Sequence, residues 1–198
     1  VTLDIIKYGK FDFQEKNKKK KQIILTHSSR ILDEYLASLK YRNNLNYSKI
    51  PHYIISRDGH VLNLLKNEII SENFNNNTVN SNSIIVCLEN LGWLYKEPLK
   101  NSHINWIGNI YNGKVFEKKW RDFIFWQPYT DVQIDNTVEL VKNICEKSNI
   151  PLKFVGHNTK INKPSSFEGI LTRSNYDINK TDLSPAFDFD LFSKKLEL

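Results

Sequence analysis

Methionine is absent from the 198 residues, cysteine occurs twice, and glycine and proline number only seven and six. Two cysteines, Cys87 and Cys145, cannot build a disulfide framework, and their apolar, regularly patterned surroundings predict buried thiols. No apolar run approaches the roughly 18–20 residues that cross a bilayer. The N-terminal VTLDIIKYGKFDF lacks the basic start, long apolar stretch and small-residue cleavage site of a signal peptide, so no export signal is read there. With Val at position 1 and no Met, removal of an initiator or a preceding segment is expected. Arginine is also scarce: Arg30, Arg42, Arg57, Arg121 and Arg173 are dispersed, which ranks a nucleic-acid partner low.

What is present describes a soluble globular chain, with 40% hydrophobic and 25% charged residues, long enough for one ordinary domain with its own core. Lysine and arginine (28) exceed aspartate and glutamate (22), and the resulting +6 suits a polyanionic partner. The run Lys16 to Lys21 reads as a solvated edge. The β-branched QIILT (22–26) predicts a buried strand ending at His27. Ser28 or Ser29 is placed to cap a helix carrying Ile31, Leu32, Tyr35, Leu36 and Leu39 and ending near Asn43-Asn44.

His52–Ser56 and His60–Leu65 predict a hairpin turning at Arg57-Asp58-Gly59, and the Asn-rich Ser71–Asn82 reads as a loop. SIIVCLE (83–89) predicts a central strand. Residues 91–129 hold all four tryptophans and read as an elaborated loop with its own small sheet, Tyr111-Asn112-Gly113-Lys114 making a hairpin turn. Thr130 and Gln133 form a capping box ahead of a helix that Pro151 closes, with Ile134, Val138, Val141 and Cys145 as its apolar stripe. LKFVG (152–156) predicts a strand that delivers His157. Alternating strands and helices indicate an α/β sheet with helices on its faces, where chemistry gathers beyond strand ends. Adjacent strands would bring His27 and His157 together as two ligands for a metal such as zinc, a third coming from another Asp, Glu, Cys or His.

Six local words occur in order: LTHSS around His27, IPHYIISRDGHV (50–61), SNSIIVCLE (81–89), YTDVQ (129–133), VGHN around His157, and NKTDLSPAFDF (179–189). Together, from about residue 22 to about residue 192, they resemble the type 2 N-acetylmuramoyl-L-alanine amidases, a family that includes short phage endolysins and peptidoglycan-recognition proteins. The resemblance implies a mixed central β-sheet flanked by helices with a single zinc ion (Zn2+) at the strand ends, held by His27, His157 and Asp182, and Lys180 as the catalytic lysine. It implies hydrolysis of the amide between muramic acid and L-alanine, peptidoglycan or muropeptide as substrate, and host-cytoplasmic residence until lysis.

The sequence departs from the family pattern at Pro51, where some relatives have Tyr, and at Cys87, where others have Glu. Glu89, two residues on and so on the same side of a regular strand, is the candidate for the missing proton-handling role; a hydrogen-bonding carboxylate is the alternative. His52 is a candidate substrate contact or a packed strand histidine, and Asp177 competes with Asp182 as third ligand. Residues 160–179 read as a second inserted loop in a single domain spanning 1–198. A non-catalytic peptidoglycan-binding module of the same fold is the alternative function.

Overall fold

A strand covered on both faces needs apolar side chains at successive positions, and QIILT and SIIVCL meet that requirement. In the computed structural model, which describes residues 3–5, 19–39, 49–98 and 102–197, these runs are β2 (Gln22–His27) and β5 (Ser83–Leu88). They pair in parallel, Ile23 opposite Ile84 and His27 opposite Leu88. β3 (Tyr53–Ile55) flanks β5 in parallel, β4 (Val61–Asn63) returns antiparallel to β3, and β1 (Leu3–Ile5) lies parallel to β4. β11 (Gly169–Thr172) forms the other edge parallel to β2, so the mixed sheet runs β1-β4-β3-β5-β2-β11.

Alternate side chains of this sheet enter different cores. Ile23, Leu25, Ile84, Val86, Leu88 and Ile170 face α3 (Asp131–Ser148) and α4 (Phe189–Leu196). On the other face, Ile54, Leu62 and Cys87 pack with α1 (Leu32–Leu39), while Ile24, Ile85 and Leu171 pack with Phe74 and Val79. Both cysteines are free and buried, as their surroundings predict. The Asp58–Gly59 turn joins β3 to β4, with Gly59 at φ +89, where an added Cβ would meet Val132 and Asn136 at 2.6 Å. The capping box forms as predicted: Thr130 accepts from the Gln133 N–H and the Gln133 side chain accepts from the Thr130 N–H. Asn149, left-handed, ends α3 before Pro151. No helix among the described residues is long and apolar enough to cross a membrane.

Several local expectations give way to tertiary partners. The first N–H of α1, on Leu32, is received by Glu89 and not by Ser28 or Ser29. Its predicted end, Asn43-Asn44, lies outside the described residues, as does Lys16 to Lys18 of the lysine run. Lys20 of that run is buried and donates to the Ile69 carbonyl at 2.8 Å. The Asn-rich stretch contains a short helix, α2 (Asn77–Asn82), because Asn76 caps it by accepting from Val79 N–H. LKFVG is not a strand; it makes one bridge, Phe154 to Ile170. Residues 160–179, read as a loop, supply β11, whose Gly169 at φ +130 passes against the Lys153 carbonyl.

Residues 91–129 do build a separate sheet, of β6 (Trp93–Lys96), β7 (His103–Ile104), β8 (Ile110–Tyr111), β9 (Phe116–Trp120) and β10 (Phe123–Trp126). Its order, β8-β7-β6-β10-β9, puts β8 and β9 on opposite edges, so Tyr111–Lys114 is a crossing and not the predicted hairpin turn. The tight turn is at Arg121, φ +54, between β9 and β10. Thr130→Ala is expected to remove the α3 cap and cost about 1 kcal/mol, read as a lower urea midpoint with unchanged slope.

Candidate active site

His27 ends β2 on the face that carries Ile23 and Leu25, and its Nδ1 lies 3.1 Å from the Tyr129 hydroxyl at the entrance to α3. Gly92 lies against the other side of the ring. A Cβ there would sit 2.8 Å from His27 Cε1 and 3.0 Å from Nε2, and φ is +75, so only glycine fits. A buried amide network holds it: Asn90 Oδ1 accepts from Gly92 N–H at 2.8 Å, the Asn90 amide donates to the Gln127 carbonyl, and Gln127 N–H donates to the Gly92 carbonyl. Burial pushes the His27 pKa down; Asp182 opposes this and Arg173 adds to it. Burial also raises the Tyr129 hydroxyl, and Asp182 raises it further.

Asp182 is 5% exposed, and its backbone carbonyl accepts from Ser174 N–H at 2.7 Å, tying its loop to the turn after β11. Its charge acts on His27 as well as on Arg121 and Tyr176, while Asp177 acts on Arg121 and Tyr176 alone of these three. Of the two candidate carboxylates, Asp182 is therefore the one electrostatically coupled to His27.

His157 stands after Gly156, half-buried, its ring stacked on Phe189 at 4.3 Å and tilted against Trp120 at 5.0 Å. Burial, then Lys118 and Arg121, lower its pKa to about 4, so the imidazole is neutral near pH 7. Its Nδ1 is buried without a hydrogen-bond partner. A row of rings connects the two histidines: Tyr129 on Phe187 at 5.2 Å, Phe187 on Phe189 at 5.0 Å, then His157. The residues suit a zinc ion by donor type, two neutral imidazoles and a carboxylate, and by the unmet need of His157 Nδ1. Among the described residues, however, no three His, Cys, Asp or Glu side chains are drawn together closely enough to hold a metal. Arg121 faces both Asp182 and His157.

The other expected residues stand apart. Lys180 lines a cavity of about 340 Å3 with Phe74, Arg173 and Asp177; this cavity shares Tyr176 and Ile178 with a larger one of about 620 Å3 beside His157. Cys87 and Glu89 follow the α1 side of β5, away from the face of His27. Glu89 Oε1 accepts from Leu32 N–H at 2.8 Å and Oε2 from Arg57 N–H at 2.9 Å. His52 has no exposed surface, and both ring nitrogens are engaged: Nδ1 accepts from Ile85 N–H, and Nε2 donates to the Ile69 carbonyl. That placement does not support a substrate contact, because a fully enclosed ring cannot reach a ligand; packing is the reading that fits.

Sequence reasoning missed Gly92, Tyr129, Trp120 and Arg121. The last two had a faint signal in the exposed, basic FEKKWRD, where aromatic and cationic side chains adjoin a turn. Two turns of the second sheet reach this region. Trp106 donates to the Ser29 carbonyl with Arg30 over its ring at 4.7 Å, and Trp120 carries Arg121 at 4.5 Å.

The family model described as "N-acetylmuramoyl-L-alanine amidase" matches residues 16–169, well over half of the chain. The chain belongs to the type 2 N-acetylmuramoyl-L-alanine amidase family. Its enzymatic activity is that of an amidase acting on peptidoglycan. The match ends ahead of Lys180 and Asp182, which rest on the NKTDLSPAFDF word. No curated protein matches the chain.

Solved structures share the fold. N-acetylmuramoyl-L-alanine amidase LysC from Clostridium intestinale URNW has a TM-score of 0.63 at 12% identity, covering 100% of this chain and 99% of its own. AmiD from E. coli, in complex with anhydro-N-acetylmuramic acid-L-Ala-D-gamma-Glu-L-Lys, has 0.59 at 16%, covering 92% and 59%. AmpDh3 from Pseudomonas aeruginosa, with anhydromuramic pentapeptide, has 0.57 at 14%, covering 96% and 65%.

Two outcomes follow from this geometry. Gly92→Ala is expected to displace the His27 ring and lower amidase turnover at least about tenfold, a loss of ~1.4 kcal/mol, while the circular dichroism spectrum stays that of the folded protein. Burial holds His52 at about 3 against an ordinary 6.5, so between those values the unfolded chain binds a proton that the folded chain refuses. Stability therefore falls as pH drops through this window, by up to ~1.4 kcal/mol per pH unit from this group. Urea unfolding should show the decline, with a shallower slope for His52→Gln.

Proposed function

We propose that this amidase is zinc-dependent, cleaves the amide between N-acetylmuramic acid and L-alanine, and acts on the cell wall as endolysins do. The observation that carries the reading is the buried, unpartnered Nδ1 of His157; His27, buried and coupled to Asp182, supplies the other donor types. A neutral imidazole nitrogen with no hydrogen bond is available as a metal donor. His27, His157 and Asp182 would hold the ion. When bound, zinc supplies Lewis-acid polarisation of a carbonyl and lowers the pKa of a water towards ~7.

The protein's own residues do the rest. Tyr129 orients the His27 ring through Nδ1, and Gly92 keeps the ring's other side free of any side chain. Low histidine pKa values keep both imidazoles unprotonated at neutral pH. Lys180 is the cation proposed to meet negative charge growing on the carbonyl oxygen. Glu89 enters as a positioning residue: two backbone N–H groups hold its carboxylate, which joins the start of α1 to the β3–β4 turn. The net charge of +6 draws the protein to an anionic wall.

Purified protein should carry about one zinc per chain by elemental analysis, and chelation should abolish release of free amino termini from peptidoglycan. Muralytic activity in a fully metal-free preparation would overturn zinc dependence. His157→Ala and Asp182→Ala should each weaken zinc binding by about 100-fold or more, and Asp177→Ala should not. Glu89→Ala should cost about 1–3 kcal/mol of stability; a Glu89→Gln protein that folds normally yet turns over far more slowly would restore Glu89 to proton transfer.

A further inference from the structure

Ser29, just past His27, holds φ at +55. That is left-handed backbone, which glycine takes freely and serine seldom does. Two contacts keep it there. The Ser28 hydroxyl bonds the Arg30 backbone from the near side. From 77 residues away, the Trp106 indole N–H donates to the Ser29 carbonyl at 2.9 Å. Trp106 is 46% exposed, so its ring adds little to any core. What it supplies at this point is the N–H, with Arg30 lying over the ring at 4.7 Å.

The turn that carries Trp106, between β7 and β8, is itself held firmly. Asn105 Oδ1 accepts from the N–H groups of Ile107 and Asn109 at 3.2 and 2.8 Å. The Asn109 amide donates to both carboxylate oxygens of Glu34 in α1, at 2.8 and 2.9 Å. The indole therefore reaches Ser29 from a turn already fastened to the helix that follows.

The conformation of Ser29 bears on the imidazole through Asn90. By reversing the chain, Ser29 brings Arg30 into an antiparallel bridge with Asn90, and the Ser28 hydroxyl accepts from Asn90 N–H at 3.1 Å. Asn90 Oδ1 holds Gly92, and Gly92 lies against the His27 ring. A Ser29 that relaxed out of the left-handed region would draw Arg30 away from Asn90 and loosen the wall behind that ring. We infer that Trp106 is a positioning residue for His27, its indole N–H holding Ser29 in the conformation that ties Arg30 to Asn90 and, through Asn90 and Gly92, sets the imidazole. The inference rests on His27 serving the amidase reaction, and not on the ion that His27 is proposed to hold.

Trp106→Phe keeps a ring beneath Arg30 and removes the N–H. Its kcat on a muropeptide should fall about tenfold while KM stays within about twofold of the wild type. A purely structural role would lower the urea midpoint and leave kcat unchanged. Adding Ser29→Gly supplies the rescue: glycine adopts this backbone without the indole, so the double variant should regain kcat to within about twofold of the wild type. Nitrogen-15 NMR of the metal-free full chain should show the His27 ring resonances moved in Trp106→Phe and returned in the double variant. Unchanged kcat and ring resonances in folded Trp106→Phe, or a loss that Ser29→Gly does not recover, overturn the inference. Because the ring is read without metal, muralytic activity independent of zinc removes the zinc reading and leaves this result standing. Zinc-dependent cleavage with His27 resonances indifferent to Trp106 does the reverse.

Discussion

The site depends first on the parallel pairing of β2 with β5. Both strands are buried on both faces, so a slip of one residue would turn every apolar side chain to the wrong core. That locked register sets His27 opposite Leu88 and starts the exit from β5 at Glu89. From there the chain has little freedom. Asn90 and Gln127 pin it, Gly92 passes against the His27 ring, and the second sheet begins. An amide network enclosed in protein holds its geometry because each group left unmet would cost free energy.

The second sheet then works as a frame around the strand ends. Its Trp106 turn seats on the loop leaving His27, and its Trp120–Arg121 turn seats beside His157. Each turn carries a tryptophan with an arginine over it. Aromatic rings also fill the space between the histidines, which accounts for the strong effect of desolvation on both. A water-poor setting of this kind keeps imidazole neutral and magnifies every remaining charge. The charges that act there are Asp182 followed by Arg173 on His27, and Lys118 followed by Arg121 on His157.

Much of the fold was legible in the chain. The two central strands, the β3–β4 hairpin with Gly59, the capped α3 and the separate Trp-rich sheet all follow from local patterns, because apolar runs, turn residues and caps are written in contiguous stretches of the chain. The errors share one cause. The cap of α1 comes from Glu89, fifty-seven residues away. The strand pairing with β2 is GILT and not LKFVG, a choice made by the open edge of β2 and the passage of Gly169 past Lys153. Propensity cannot see a partner that distant.

The same division applies to the chemistry. By itself the sequence determined the candidate donors, His27, His157 and Asp182, and the family to which their words belong, since side-chain identity and order are written in the chain. Only the tertiary structure decided what each can do. It enclosed His52 with both nitrogens engaged, drew both oxygens of Glu89 onto backbone N–H groups, and left His157 Nδ1 and the Tyr176 hydroxyl unmet. A side chain's reactivity is set by which hydrogen bonds and charges remain open once its surroundings have closed, and those surroundings come from segments far apart in the chain.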